Sequence, residues 1–144
     1  MRKLTTIALL GAALLLGACR STPHRAAVVD VDPSEWAGTA EIVVENTDTL
    51  SPCDIAVFLR YDEQFADDTL TLRVEVLTPD SLRSREWLRM TMTRPRKPAA
   101  LRRQAVAEYR KQAILPRSGD YRFVIGPVRP VEGVEAVGVH IKKR

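Results

Sequence analysis

Few side chains in this sequence could do chemistry, and one of them stands apart. Cys19 closes the run Leu16-Gly17-Ala18-Cys19, behind an apolar stretch from Leu4 to Leu16 that is itself preceded by Arg2 and Lys3. A cationic start, roughly a dozen apolar residues and two small residues before a cysteine form a cleaved export signal with a lipobox. The stretch falls short of the ~20 apolar residues that a membrane-spanning helix needs. Cleavage of that signal is the processing expected here, with Ala18 and Cys19 at its end. Other reactive groups offer less. His24 and His140 are the only histidines, too few for a multi-histidine metal site. No serine has a G-x-S-x-G setting, and there is no glycine-rich phosphate loop. Asp62/Glu63 and Asp67/Asp68 could offer oxygens to Ca²⁺, but they lack the alternating spacing and turn glycine of calcium loops, so an exposed acidic hairpin is expected. Cys53 follows Pro52 and opens an apolar strand, which suits a small, semi-buried residue with no base to activate it. Neither catalysis nor a cofactor or metal is expected.

The leader resembles bacterial lipoprotein signals. That resemblance implies a diacylglycerol on the Cys19 sulfur and a third acyl chain on the freed amine. More than one chain gives stable anchoring, so the protein is expected to be anchored to a membrane without spanning it. With Cys19 acylated, Cys53 is the only other cysteine and no internal disulfide can form. Three segments follow: a signal peptide over 1–18, a polar lipid-anchored tether over 19–25, and a domain over 26–144. Fully extended, such a tether holds the domain within about 20 Å of the bilayer.

Arg2 and Lys3 account for half of the formal net charge of +4, so the basic balance partly belongs to the leader. The remainder is unevenly spread. Residues 26–82 hold thirteen acidic side chains against Arg60 and Arg73, while 83–117 hold eleven basic ones against Glu86 and Glu108. Two halves that neutralise one another on folding are the first expectation, and a partner-binding face is the second. The dense basic set Arg94, Arg96, Lys97, Arg102, Arg103, Arg110 and Lys111, bracketed by Pro95, Pro98 and Pro116, is the candidate docking surface for an acidic partner or anionic lipid. Nucleic acid is a poor partner for an exported protein.

The elements that would position these groups are strands. Period-2 alternation runs through 39–45, 54–61, 69–77, 85–93, 120–125 and 136–142. In 54–61 both faces are largely apolar, which predicts a central strand. Turn chemistry separates the strands, most clearly at Thr78-Pro79-Asp80-Ser81 and Ser118-Gly119-Asp120. Six or more short strands at this spacing predict a mainly β protein: a single antiparallel β-sandwich, immunoglobulin-like or jelly-roll-like. The exception is 98–113, where Leu101, Ala105, Tyr109 and Ala113 lie four apart and predict one short helical or irregular basic crossover. Trp36 and Trp87 are each expected to pack in the core or between elements, although either could stack on a sugar or a partner protein.

These residues together resemble the GldH family of gliding-motility lipoproteins of the Bacteroidetes. The resemblance rests on the lipobox, Trp36, Ile55-Ala56-Val57-Phe58-Leu59-Arg60-Tyr61, Leu70-Thr71-Leu72 before Thr78-Pro79-Asp80, Ser118-Gly119-Asp120-Tyr121-Arg122-Phe123, and Gly133-Val134-Glu135-Ala136-Val137-Gly138-Val139-His140-Ile141. The acidic loop after Arg60 and the basic segment around Arg94 to Lys111 depart from the family pattern. The resemblance implies a non-enzymatic outer-membrane lipoprotein accessory to gliding motility and type IX secretion, with other lipoproteins of that machinery as partners. No acidic residues follow Cys19 directly, which by resemblance to the phylum's surface-export rule implies the periplasmic face. The competing expectation is a lipid-anchored module that presents glycan or peptide to an envelope transporter.

Overall fold

The structure is a computed structural model that describes residues 24–93 and 103–144. Ala18, Cys19, Arg94, Arg96, Lys97 and Arg102 lie outside the described residues. Eight strands make up the domain: β1 (His24–Asp30), β2 (Ala40–Asn46), β3 (Cys53–Tyr61), β4 (Thr69–Leu77), β5 (Arg83–Thr91), β6 (Arg103–Ala113), β7 (Gly119–Pro127) and β8 (Val134–Lys143). They form two four-stranded antiparallel sheets, ordered β1-β8-β3-β6 and β2-β7-β4-β5.

That order has a simple origin. β1 pairs with β8, β2 with β7, β3 with β6 and β4 with β5, so the chain is one long hairpin folded over on itself. The tip of the hairpin is the β4–β5 turn, where the Thr78 hydroxyl binds Leu82 and Ser81 adopts a left-handed φ of 65°. Winding such a ribbon buries one face of each sheet against the other and produces the eight-stranded jelly roll.

The alternation seen in the sequence is what the sandwich buries. Ile42 and Val44 of β2, Leu70, Leu72 and Val74 of β4, Tyr121, Phe123 and Ile125 of β7, and Val137, Val139 and Ile141 of β8 all point into one core. β3 is central, between β8 and β6, as expected for 54–61. On its outer face Phe58 stands opposite Gly138, where an added Cβ would lie 2.2 Å from the ring. Only a glycine lets the aromatic ring lie flat across the neighbouring strand.

Two expectations are corrected. Residues 103–113 are neither helical nor irregular; they form the edge strand β6, placing Ala105, Ala107 and Tyr109 inward while Val106, Glu108 and Arg110 face out. Spacing by four suited a helix, but the same residues also alternate, and pairing with β3 decided between the two periods. Strand structure also starts at His24, so β1 includes His24 and Arg25 from the expected tether. Its Ala-Ala-Val-Val run has little alternation of its own and is ordered by pairing with residues 136–142 of β8.

Candidate partner-binding face

The two tryptophans have opposite fates. Trp36 is buried in the core and bridged to Val131 through paired backbone hydrogen bonds of 2.7 and 3.1 Å. Trp87 is 65% exposed, which overturns the core position expected for it. It sits on the outer side of β5, the edge strand of its sheet, because Leu88 and Met90 take the inward parity. Arg73 is directly opposite it on β4, and Arg85 and Arg89 flank it on the same side of β5. An indole thus lies on a flat sheet surface among three guanidinium groups.

The carboxylate partners divide these arginines into two kinds. Glu75 accepts from Arg85 at 2.9 and 3.0 Å and pairs with Arg83 at 3.3 Å, so the Arg85 hydrogen bonds hold its carboxyl below the usual glutamate range. No carboxylate among the described residues pairs with Arg89. Tryptophan and arginine are the residues most enriched where partners bind tightly. The face can therefore offer stacking to a flat apolar or sugar surface and an open cation to a carboxylate, sulfate or phosphate.

The basic set picked out from the sequence does not form one patch. Arg103 opens β6 opposite Tyr61, whereas Arg110 and Lys111 are near its other end, and seven extended residues separate Arg103 from Arg110 by ~23 Å. A helix would have kept them within about 11 Å. Arg110 is also committed elsewhere. Register shifts on β6 near Ile55 swing its guanidinium over the Tyr109 ring, 4.3 Å from the centroid, and into an ion pair with Glu86 of β5. This pair joins the edge strands of the two sheets. The hydrogen bond from Arg110 holds the Glu86 carboxyl below its usual range and the same bond raises the pKa of Arg110, while burial first and Glu86 second push the Tyr109 phenol up to about 12. Lys111 pairs with Glu108, and Arg117 with Asp80. Much of the basic segment that is described thus neutralises acidic residues within the domain.

The remaining candidates have structural duties. Cys53 is buried and donates weakly to the Ala113 carbonyl at 3.3 Å, and burial pushes its thiol pKa up, away from reactivity. Asp62 binds the backbone N–H of Gln64, and Asp67 pairs with Arg129. Among the described residues no three histidine, cysteine or carboxylate groups come together as metal ligands. The sequence offered stacking on a sugar or partner as the second expectation for Trp87, whereas the arginines around it were not grouped with it, although Arg85-x-Trp87-x-Arg89 on the polar parity of an alternating strand carried that signal.

No family profile matches the chain, and no curated protein matches it. Solved structures are similar at low identity. The Clostridium perfringens CspB protease is 14% identical with a TM-score of 0.41, over 85% of this chain and 26% of the protease. This chain therefore spans about a quarter of that protein's length. A xylan-binding module, CBM15, is 14% identical with a TM-score of 0.38, over 78% of this chain and 95% of the module. The protein FLHE is 15% identical with a TM-score of 0.37, over 85% of this chain and 96% of its own. Such likeness concerns the β-sandwich alone, which the strand order already defines.

Proposed function

We propose that this chain is a lipid-anchored, non-enzymatic binding module of the bacterial outer membrane, facing the periplasm, which docks a partner on the Trp87 face. The observation that carries the reading is the exposure of Trp87 among Arg73, Arg85 and Arg89, the one exposed aromatic side chain among the described residues. A solitary exposed aliphatic residue needs no explanation, but an indole on an edge strand costs solubility unless something covers it. The lipobox at Cys19 supports the anchor. The GldH resemblance supports an accessory role in gliding motility and type IX secretion, in which the partner is another lipoprotein of that machinery. A second reading, a module presenting glycan or peptide to a transporter, is favoured by the same indole, since a flat exposed aromatic surface stacks on sugar rings.

A deletion strain complemented with wild type, Trp87→Ala or Cys19→Ser tests these readings together. Wild type should fractionate with the outer membrane, resist protease added to intact cells, and co-purify with envelope proteins. Cys19→Ser should become soluble, and Trp87→Ala should stay anchored but lose its partners. Retention of every partner by Trp87→Ala overturns the docking face. Unchanged type IX cargo secretion and, in a gliding host, unchanged spreading in the deletion strain overturn the accessory role. Stabilisation of the purified protein by a soluble glycan would select the second reading.

A further inference from the structure

The two poles of the sandwich are unlike. The pole at which β1 begins with His24 also carries the β2–β3 loop (47–52), the β4–β5 turn (78–82) and the β6–β7 loop (114–118). Each of these loops presents one bare aliphatic side chain: Leu50 at 83% exposure, Leu82 at 67% and Ile114 at 55%. They are three of the four most exposed large aliphatics among the described residues. The loops are fastened into one surface. The buried Asn46 amide donates to the Leu115 and Arg117 carbonyls at 3.0 and 2.9 Å, and Arg117 reaches across to Asp80 at 3.0 Å. Cations ring this surface and cancel its carboxylates: Lys143 holds Asp48 at 2.7 Å and Arg144 holds Asp54 at 2.8 Å, while Arg25 binds the Thr47 hydroxyl at 3.0 Å. Lys142 stands beside them on the exposed side of β8. Glu45 and Asp120, opposite each other on the outer face of the second sheet, are set back from the loop tips.

We infer that this pole rests on the bilayer that holds the lipidated Cys19, with Leu50, Leu82 and Ile114 dipping among the headgroups; this rests on the anchored reading above. Only four residues lie between Cys19 and His24, and five extended steps reach at most ~18 Å, so this pole faces the membrane at close range. Aliphatic tips with flanking cations suit an interface whose outer layer is phosphate and whose next layer is hydrocarbon. Contact at three points gives the anchored domain a defined orientation. Trp87, four residues along β5 from Arg83 at this pole, then stands about 13 Å above the surface and faces sideways, open to a neighbour in the same membrane.

The test uses full-length lipidated protein in vesicles of phosphatidylethanolamine and phosphatidylglycerol. An environment-sensitive fluorophore is attached singly through Leu50→Cys, Leu82→Cys, Ile114→Cys or, at the opposite pole, Val128→Cys. The acylated Cys19 and the buried Cys53 are not open to the label. Emission at the three loop positions should shift to the blue and be quenched by lipids spin-labelled near the headgroup, with Val128→Cys unchanged. Water-like emission at all four positions in protein that still floats with vesicles overturns the docking pole and leaves the anchor standing. Failure to float overturns the anchored reading itself, and the pole with it. Blue emission that depends on protein concentration in lipid-free Cys19→Ser protein assigns the surface to a second copy instead and overturns the bilayer assignment. Three independent loop positions keep the result readable if one variant misfolds.

Discussion

Replacing each tryptophan by alanine separates a residue that holds the fold from one that the fold presents. Trp36 is 4% exposed, so nearly all of a side chain that offers roughly 250 Å² leaves water on folding. At about 25 cal/mol per Å² the transfer alone approaches 6 kcal/mol as an upper bound, and buried Trp→Ala changes cost about 3–5 kcal/mol. Trp87 keeps 65% of its surface in solvent. The remaining third corresponds to ~90 Å² and about 2 kcal/mol, part of which alanine retains, so Trp87→Ala should cost ~1 kcal/mol. In a domain of this size that is a fall in Tm of about 3–5 °C, against ~10 °C or more for Trp36→Ala. Urea unfolding followed by far-ultraviolet circular dichroism reads both without relying on the indole that is removed. Partner binding should move the other way: Trp87→Ala should weaken it by about 2 kcal/mol or more, near 30-fold, as at interface hot spots. Equal destabilisation by the two substitutions would refute the reasoning, because it would make Trp87 a packing residue with nothing to offer a partner.

Gly138→Ala should destabilise by about 1–3 kcal/mol, since the new Cβ meets the Phe58 ring, and much of that cost should vanish in a Phe58→Ala background. A double-mutant cycle measured by urea denaturation checks the coupling, and additive costs would rule it out. Acid should destabilise the domain through Asp48, Asp54, Asp80, Glu75 and Glu86, all of which have folded pKa values lowered from ordinary values of 3.8 or 4.5. Their contribution is full above those values and is lost as pH falls through the lower folded ones, so Tm should hold near pH 6 and drop below about pH 4. At the alkaline end Tyr109 has the opposite sign. Its pKa rises from 10.0 to about 12, so stability should fall as pH climbs from 10 toward 12, and Tyr109→Phe should flatten that limb of a Tm-against-pH profile. Arg110→Gln should cost less than about 1 kcal/mol and become nearly neutral at high salt, as expected for an ion pair this open to solvent.

What could be read along the chain was whatever depends on near neighbours. Alternation in 69–77 is local, and so are the turn residues of Thr78-Pro79-Asp80-Ser81; each reports its own geometry without reference to the rest of the molecule. Two apolar faces on 54–61 pointed to a central strand, and β3 lies between β8 and β6 with its inner face buried and Ala56 and Phe58 half-buried on the outer one. β1 and β6 were not legible in this way. The Ala-Ala-Val-Val run of β1 is ordered by β8, more than a hundred residues away in sequence, and in β6 a helical and a strand period coincide until β3 selects one.

The candidate faces depended on the same long-range pairing. Sequence proximity grouped Arg103 with Arg110 and Lys111, yet an extended strand pulls them apart and the Glu86 carboxylate takes up Arg110. Conversely, Arg73 meets Trp87 only across a strand pair, and Leu50, Leu82 and Ile114 share one pole only because the β4–β5 hairpin and two connections between the sheets end there. Residue type and parity determined which side chains would be left outside the core. Which of them would stand together was decided by the winding of the ribbon, since strand pairing brings residues close in space without regard to their distance along the chain.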